Sequence, residues 1–354
     1  MPFQIAWLPA HPDEGSVSMQ RYWHNLRREF PLAAGTEWRV AEALPPAGFT
    51  PRAGRLRRFW SKHLAYPAAV RGLGRADLYH LLDHSFAHVL GALPRDARIV
   101  ATVHDLAPLD EPGHLSAAQL RRFRATVGCL RRATRLVADS RATARRLAQE
   151  LQVPEADIAV LPLAVDHAQF SPRAPVRAGT YVLSVGGIDA RKNLGALVLA
   201  MERAARDIPG LTLVRVGDAL PAELRTALNA VLGGHVEERG WVEDHELAGL
   251  YAGALALLLP SRLEGFGLPV LEAMACGCPV VCSDASSLPE VGGAAALYFD
   301  PSDGAAAGAH LARLATEPAR RAEAVAAGIE QASRFTWEAH ARGLAAIYRE
   351  TLAR

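Results

Sequence analysis

Glu264 and Glu272 stand eight positions apart in the stretch SRLEGFGLPVLEAMACGCPVVCSD, residues 261–284. The first falls in a glycine loop and the second inside an otherwise apolar helical run. Two carboxylates so placed are either solvated acids around a turn or acceptors for the paired hydroxyls of a sugar. A second cluster, Arg191-Lys192-Asn193, follows Gly186 and Gly187 and opens a helical pattern. Adjacent cations at a helix N-terminus are electrostatically odd, because that end already carries partial positive charge. The oddity disappears if an anion binds there, since backbone N–H groups, a forked guanidinium and an ammonium together make a diphosphate site. A solvated basic turn is the plainer alternative. Lys192 is one of only two lysines, Lys62 being the other.

Positioning these groups requires strand ends. Apolar runs alternate with helical patterns along most of the chain, which argues for parallel α/β sheets. Expected strands are 3–8, 78–82, 99–103, 135–138 and 158–161, then 181–185, 212–216, 236–239, 254–259, 279–282 and 296–299. The Pro- and Gly-punctuated SPRAPVRAGT, residues 171–180, reads as a linker. The expected organisation is an N-terminal Rossmann-like domain over 1–172, a linker over 173–180, a C-terminal Rossmann-like domain over 181–334 and a last helix over 335–354. At 354 residues the chain exceeds one ordinary core, which fits two doubly wound domains with a cleft between them.

In open α/β sheets ligands bind beyond the carboxyl ends of strands. Three junctions in the second half qualify. Gly186 and Gly187 lead to Arg191 and Lys192. Gly240-Trp241-Val242 follows a strand and precedes a helix that Asp244 is placed to cap, leaving backbone groups suited to a nucleobase. The loop from Ser261 precedes a helix opened by Pro269 and stopped by Gly277. There Gly265 and Gly267 permit close backbone approach, and Glu272 falls one turn after Leu268, on the loop side.

Composition excludes several classes. Net charge is +2, which gives no case for nucleic-acid binding, and the longest apolar run is too short to span a bilayer. The N-terminus lacks the basic and apolar regions of a signal peptide, so a cytoplasmic protein is expected. Cys276, Cys278 and Cys282 lack a fourth ligand nearby and read as small buried thiols rather than a metal site. Arg52–Pro67 carries five basic residues in its first eleven positions, no acids, and Leu56, Phe59, Trp60 and Leu64 at helical spacing. It is either a surface helix or a peripheral contact with anionic lipid or a lipid-linked acceptor.

The motif E-G-F-G-L-P-V-L-E resembles the E-x7-E signature of retaining glycosyltransferases with the GT-B architecture, family 4, the glycogen-synthase and mannosyltransferase relatives. RKN after VGGID resembles their phosphate-binding Arg/Lys pair, GWV their base-contacting loop, and EAMACGCPVVCSDASSLPEVGG their continuation. The likeness covers essentially all of the second half. In the first half TVHDLAPLDEP, VADSRATARRL and LPLAVDHAQFSP resemble family segments less tightly. One departure is HPDEGSVSMQRYWHNL, which keeps only Gly15, with Ser16 and Ser18 nearby, where the family has a glycine-rich turn.

The resemblance implies two Rossmann-like domains and a C-terminal helix packing back toward the first. It implies metal-independent transfer of a hexose from a nucleotide-diphosphate sugar, GDP-mannose first, with no cofactor. The implied acceptor is a glycan or lipid-linked saccharide in bacterial surface polysaccharide synthesis. Glu264 is then assigned to the donor sugar, with Gly265, Phe266, Gly267 and Leu268 around it, Glu272 to the ribose, and Arg191 and Lys192 to the departing diphosphate. Gly15, Ser16, Gly186 and Gly187 line the donor, Trp241 and Val242 the base, and His104 faces the donor sugar or acceptor. No D-x-D metal pair occurs in the chain. UDP-sugar transfer, nucleotide-sugar epimerisation and non-catalytic nucleotide-sugar binding are the alternatives.

Overall fold

The computed structural model describes residues 1–10, 17–43, 59–113, 115–172 and 180–354. It divides into two units, Met1–Pro162 together with Trp337–Arg354, and Leu163–Thr336. Each contains one parallel six-stranded sheet.

In the first unit the strands are β1 (Phe3–Leu8), β2 (Trp38–Glu42), β3 (Leu78–Leu81), β4 (Ile99–Val103), β5 (Arg135–Ala138) and β6 (Ile158–Val160), in the order β2-β1-β3-β4-β5-β6. β3 and β4 are buried at every position, as strands covered on both faces must be, and their apolar runs follow from that. β2 has no counterpart among the strands expected from sequence. It is an edge strand, WRVAE, in which only Trp38 is buried, so charges interrupt its pattern. Trp38 anchors it by packing on Phe30 and Tyr348.

Helix Trp337–Ala353 belongs to this unit. Its Tyr348 hydroxyl accepts from Trp7 Nε1 at 3.0 Å and lies 2.6 Å from His80 Nδ1. Burial pushes the His80 pKa down to about 3, so the ring is neutral. Tyr348 then donates to Nδ1, and Nε2–H donates to Thr102 Oγ1 at 2.8 Å. Gly343 lets the helix approach closely, since a Cβ there would lie 2.6 Å from Leu161 Cδ1.

The second unit contains β7 (Tyr181–Gly186), β8 (Thr212–Gly217), β9 (Val236–Glu238), β10 (Ala256–Leu259), β11 (Val280–Ser283) and β12 (Leu297–Phe299), ordered β12-β11-β10-β7-β8-β9. Counted from β7 this is the Rossmann order, whose direction reverses between β7 and β10. The first sheet reverses between β1 and β3.

The expected domain boundary at residue 172 differs from the observed division at 162. Residues 163–172 group with the second unit because Val165 N–H donates to Phe335 O and the Phe170 ring packs on Tyr251. The expected linker lies outside the described residues except for Thr180. The final helix begins at Trp337, and Phe335 stays with the second unit.

Candidate active site

Three sequence-distant segments meet where the second sheet reverses. Glu264 follows β10 and is nearly buried. Its Oε1 accepts from Lys192 Nζ at 2.7 Å and from Ser261 Oγ at 2.7 Å, and its Oε2 accepts from Arg191 Nη1 at 3.3 Å. Burial alone would favour the protonated acid. The charge and hydrogen bond of Lys192, with Arg191 and Ser261, outweigh it and hold the carboxyl below its ordinary range. Asp189 Oδ2 also stands 3.9 Å from Arg191 Nη2, so two cations face two carboxylates, of which Glu264 is buried between them and Asp189 is about half exposed.

The loop after β10 is fixed from several sides. Ser287 Oγ donates to the carbonyls of Glu264 and Phe266, Ser286 Oγ to that of Glu264, and Ser283 Oγ to that of Ser261. Gly267 has φ +107°, and a Cβ there would strike Leu288 at 2.8 Å, so only glycine serves. Pro269 stands in the first turn of helix Leu268–Ala275, where its missing N–H costs nothing. Phe266 packs edge-on against Phe335, while Gly265 and Leu268 are half-buried beside it.

Arg191 and Lys192 lie in a short 3-10 turn, Ala190–Lys192, just before helix Leu194–Ala205. Asn193 joins the two in the left-handed region at φ +53°, which asparagine tolerates. Its Nδ2 donates to Pro260 O at 3.0 Å and Pro301 O at 2.7 Å, tying the turn to the β10 loop. Gly186 adjoins Lys192: a Cβ there would sit 3.4 Å from Lys192 Cε. Gly187 is flanked instead by Asp189 and Asp218, so the anion-favouring side of the loop is the Gly186–Lys192 side.

Beneath this loop lies Arg215, on β8 and 2% exposed. Nη1 donates to Ser184 O (3.3 Å) and Val216 O (2.9 Å), and Nη2 to Gly186 O (2.5 Å) and Gly187 O (2.7 Å). Burial lowers its pKa to about 10 against the pull of Asp218 and Glu238, and it remains a cation at neutral pH. Sequence reasoning missed it, although an arginine within the apolar run TLVRVG was the available signal.

Glu272 belongs to a different cluster. It is buried on helix Leu268–Ala275, and its Oε2 accepts from Tyr251 OH at 3.0 Å. Trp241 is exposed after β9, its Nε1 donating to Asp218 Oδ1 at 3.1 Å, and Val242 is half-buried next to it. Asp244 is not the cap it was expected to be. Helix Asp244–Gly253 starts at that residue, and Glu243 occupies the cap position without a side-chain hydrogen bond.

In the first unit His104 follows β4 and is 7% exposed. Nδ1 lies 2.6 Å from Asp139 Oδ2 and Nε2 lies 2.8 Å from Leu82 O. Both partners are acceptors, so both ring nitrogens donate and the ring is an imidazolium. Burial works against that charge, but Asp139 chiefly, with Asp83 and the Leu82 carbonyl, raises the pKa to about 9. Tyr22 packs edge-on against the ring at 4.9 Å. Both nitrogens are thus engaged within the protein. Asp139, at the end of β5, was visible in VADS but was not singled out as its partner. Gly15 and Ser16 lie outside the described residues.

The model of the family described as Glycosyl transferases group 1 matches residues 169–331, and that described as Glycosyltransferase Family 4 matches residues 21–169. The D-inositol 3-phosphate glycosyltransferase of Segniliparus rotundus is 30% identical over 309 residues, 79% of this chain and 68% of the relative. The chain belongs to the group 1 glycosyltransferases. The O-antigen chain mannosyltransferase B of Escherichia coli is 36% identical over 178 residues, 45% of this chain and 42% of the relative, so the match spans less than half of that protein. Sucrose-phosphate synthase (tll1590) from Thermosynechococcus elongatus shares the fold of this group 1 glycosyltransferase, with a TM-score of 0.76 at 23% identity over 99% of each chain.

Three cysteines beside the glutamates are buried in this glycosyltransferase. Burial pushes the thiols of Cys276 and Cys282 up to about 12, and that of Cys278 up as well. Among the described residues no group of three His, Cys, Asp or Glu side chains is arranged to hold a metal ion.

Proposed function

We propose that this chain transfers a hexose, with retention, from a nucleotide-diphosphate sugar to a glycan or lipid-linked saccharide in bacterial surface polysaccharide synthesis. The observation that carries the reading is Glu264, fixed between Lys192, Arg191 and Ser261 where the second sheet reverses. That crevice is where doubly wound sheets take nucleotides.

Cleaving the bond between the anomeric carbon and phosphate leaves charge on the departing diphosphate and an oxocarbenium-like sugar. Lys192 and Arg191 stabilise the former as preorganised cations, so a metal is not needed for that step. Glu264 keeps the ammonium and guanidinium aimed and accepts from sugar hydroxyls. The acceptor oxygen then bonds to the anomeric carbon, and its proton passes to the departing phosphate. Glu272 takes the ribose hydroxyls, and Trp241 with Val242 borders the base.

GDP-mannose is the first donor because the motifs resemble mannosyltransferases and one relative is named as such. UDP-sugars come next. Of the basic amphipathic stretch Arg52–Pro67, Phe59, Trp60 and Leu64 are about half exposed, which supports contact with the inner face of a membrane. Residues 52–58 of that stretch lie outside the described residues, and no described helix is long and apolar enough to cross a membrane.

A thermal-shift panel of GDP, UDP and ADP sugars identifies the donor, because a ligand of the folded state alone raises the midpoint. Donor consumption by wild type and Glu264→Ala then tests transfer. Equal consumption by both proteins rejects the assignment of Glu264.

A further inference from the structure

The loop after β10 is braced by its neighbour, the segment at the end of β11, where SDASS (residues 283–287) supplies three serines. Ser283 Oγ donates to Ser261 O, and Ser286 Oγ donates to Glu264 O at 2.7 Å. Ser287 Oγ donates to Phe266 O at 2.8 Å and to Glu264 O at 3.0 Å. The bracing segment is itself anchored. Asp284 N–H donates to Phe299 O at 3.0 Å, and the Ser287 carbonyl accepts from Glu290 and Val291 N–H where helix Leu288–Gly292 begins.

Ser286 stands out in this segment. Its φ is +57°, in the left-handed region that crowds any residue carrying a Cβ. Strain of this kind persists only where the surrounding structure over-determines it. Consecutive side chains diverge in regular structure, to opposite faces on a strand and about 100° apart around a helix. Here the hydroxyls of Ser286 and Ser287 meet on one oxygen, Glu264 O, which has a lone pair for each. A left-handed residue in the pair breaks the usual divergence.

The two bonds are not equivalent. Ser287 has one hydroxyl proton for two carbonyls, and the nearer is Phe266 O. Ser286 has no second acceptor among the described residues, and its bond to Glu264 O is the shorter. Lys192, Arg191 and Ser261 grip the Glu264 carboxylate, whereas the serine pair fixes the peptide plane from which that side chain springs.

We propose that Ser286 is a positioning residue, whose strained backbone aims a dedicated hydroxyl at the Glu264 carbonyl and so sets where the Glu264 carboxylate stands. The inference rests on the transferase reading of Glu264. It adds that the fold gives up stability at Ser286 for the sake of that placement.

The test compares stability with turnover in variants of the full chain. Ser286→Gly and Ser286→Ala both delete the hydroxyl, but glycine sheds the left-handed cost and alanine keeps it. Ser286→Gly is therefore expected to melt about 2 °C or more above Ser286→Ala. Both are expected to release nucleoside diphosphate from GDP-mannose or UDP-glucose with kcat lowered about ten- to hundredfold. Calorimetric affinity for GDP or UDP is expected to stay within about threefold, because Lys192 and Arg191 keep their turn. Asparagine tolerates the left-handed region and carries a donor, so Ser286→Asn is expected to return kcat to within about threefold of wild type. Backbone ¹⁵N relaxation reads the brace without turnover. Amides of Gly265, Phe266 and Gly267 are expected to loosen in Ser286→Gly, from order parameters of about 0.85 toward about 0.6, and to stay rigid in Ser286→Asn. Turnover that follows melting temperature across the glycine and alanine variants overturns the proposal. So does a loop that stays rigid in Ser286→Gly, or one that loosens while kcat is unchanged. Loosening as expected, with no wild-type turnover of either donor, sinks the transferase reading alone.

Discussion

Where the second sheet reverses, a carboxylate is held by two cations and a hydroxyl. Where the first sheet reverses, an imidazolium is held by a carboxylate, and the remaining acids face a cavity. Both sheets reverse strand order at these points, though in different orders, and the buried charges differ in sign. Glu264 lies between Arg191 and Lys192, while Asp189, the second carboxylate near Arg191, is half exposed and screened by water, so the buried side of the turn holds two cations to one carboxylate. Asp139 offsets the charge of His104, and Asp83 and Asp105 line the cavity beside it. Position in an α/β sheet thus chooses where a ligand binds, and side-chain pairing chooses which kind.

The largest effect is expected from Lys192→Ala. If Lys192 serves the departing diphosphate, its removal lowers turnover by about 10²–10³-fold, the range seen for loss of one preorganised transition-state partner. Calorimetric affinity for the nucleoside diphosphate falls with it. Unchanged affinity in Lys192→Ala removes the anion from the second site and breaks the contrast at its stronger end.

The next concerns the imidazolium. The folded pKa of His104 is raised from 6.5 to about 9, so the bonded proton stabilises the fold fully below pH 6.5. That stability is lost as pH rises through about 9, by up to about 3 kcal/mol at 1.36 kcal/mol per unit. His80, His84 and His340 have lowered values, so their contribution is present above pH 6.5 and is lost on acidification. The window between 6.5 and about 8, below the range in which the unfolded thiols of Cys276, Cys278 and Cys282 ionise, therefore isolates His104. Denaturant melts of wild type are expected to lose stability across it, and His104→Gln melts are not. A slope that survives in the variant places the charge elsewhere.

Much of this contrast was legible from residue types. Strands buried on both faces announce themselves as apolar runs, and glycines followed by cations located the turn that carries Arg191 and Lys192 to Glu264. β2 was not legible, because an edge strand with one buried residue has almost no apolar signal. The supports of the site were harder still. Ser287 reaches back to the Glu264 and Phe266 carbonyls across more than twenty residues, and Asn193 bridges Pro260 and Pro301. Such contacts follow from the fold rather than from spacing. His104 shows the converse: the sequence located it at a strand end, while only the structure shows both nitrogens bonded to Asp139 and Leu82.

Arg215 sharpens the comparison from beneath the loop. It points its guanidinium at four carbonyls of β7, β8 and the glycine turn, and nothing equivalent supports the cavity of the first unit among the described residues. Arg215→Met is expected to weaken donor binding by about tenfold while changing kcat less, since hydrogen bonds to a charged group are worth about 1.5–3 kcal/mol and water can satisfy part of the loss. A KM unchanged with a lowered melting temperature makes Arg215 a structural strut only.

The smallest effect tests whether Glu272 belongs to the positive site at all. Tyr251 is buried, and burial first, then Glu272, keeps its hydroxyl protonated, so it is a permanent donor to that carboxylate. Tyr251→Phe removes one hydrogen bond, worth about 1 kcal/mol, and leaves the ring packing intact. If Glu272 holds the ribose, the carboxylate loses the Tyr251 hydrogen bond that helps to orient it and nucleoside diphosphate affinity falls by up to about fivefold. The 2′- and 3′-deoxy nucleotides then show little further loss in the variant, because the hydroxyl they lack has already lost its aligned acceptor. If Glu272 only fills the helix interior, Tyr251→Phe lowers stability and leaves deoxy discrimination untouched. The double variant with Glu272→Gln separates the two outcomes, since coupling in binding requires both side chains to act on the same ribose.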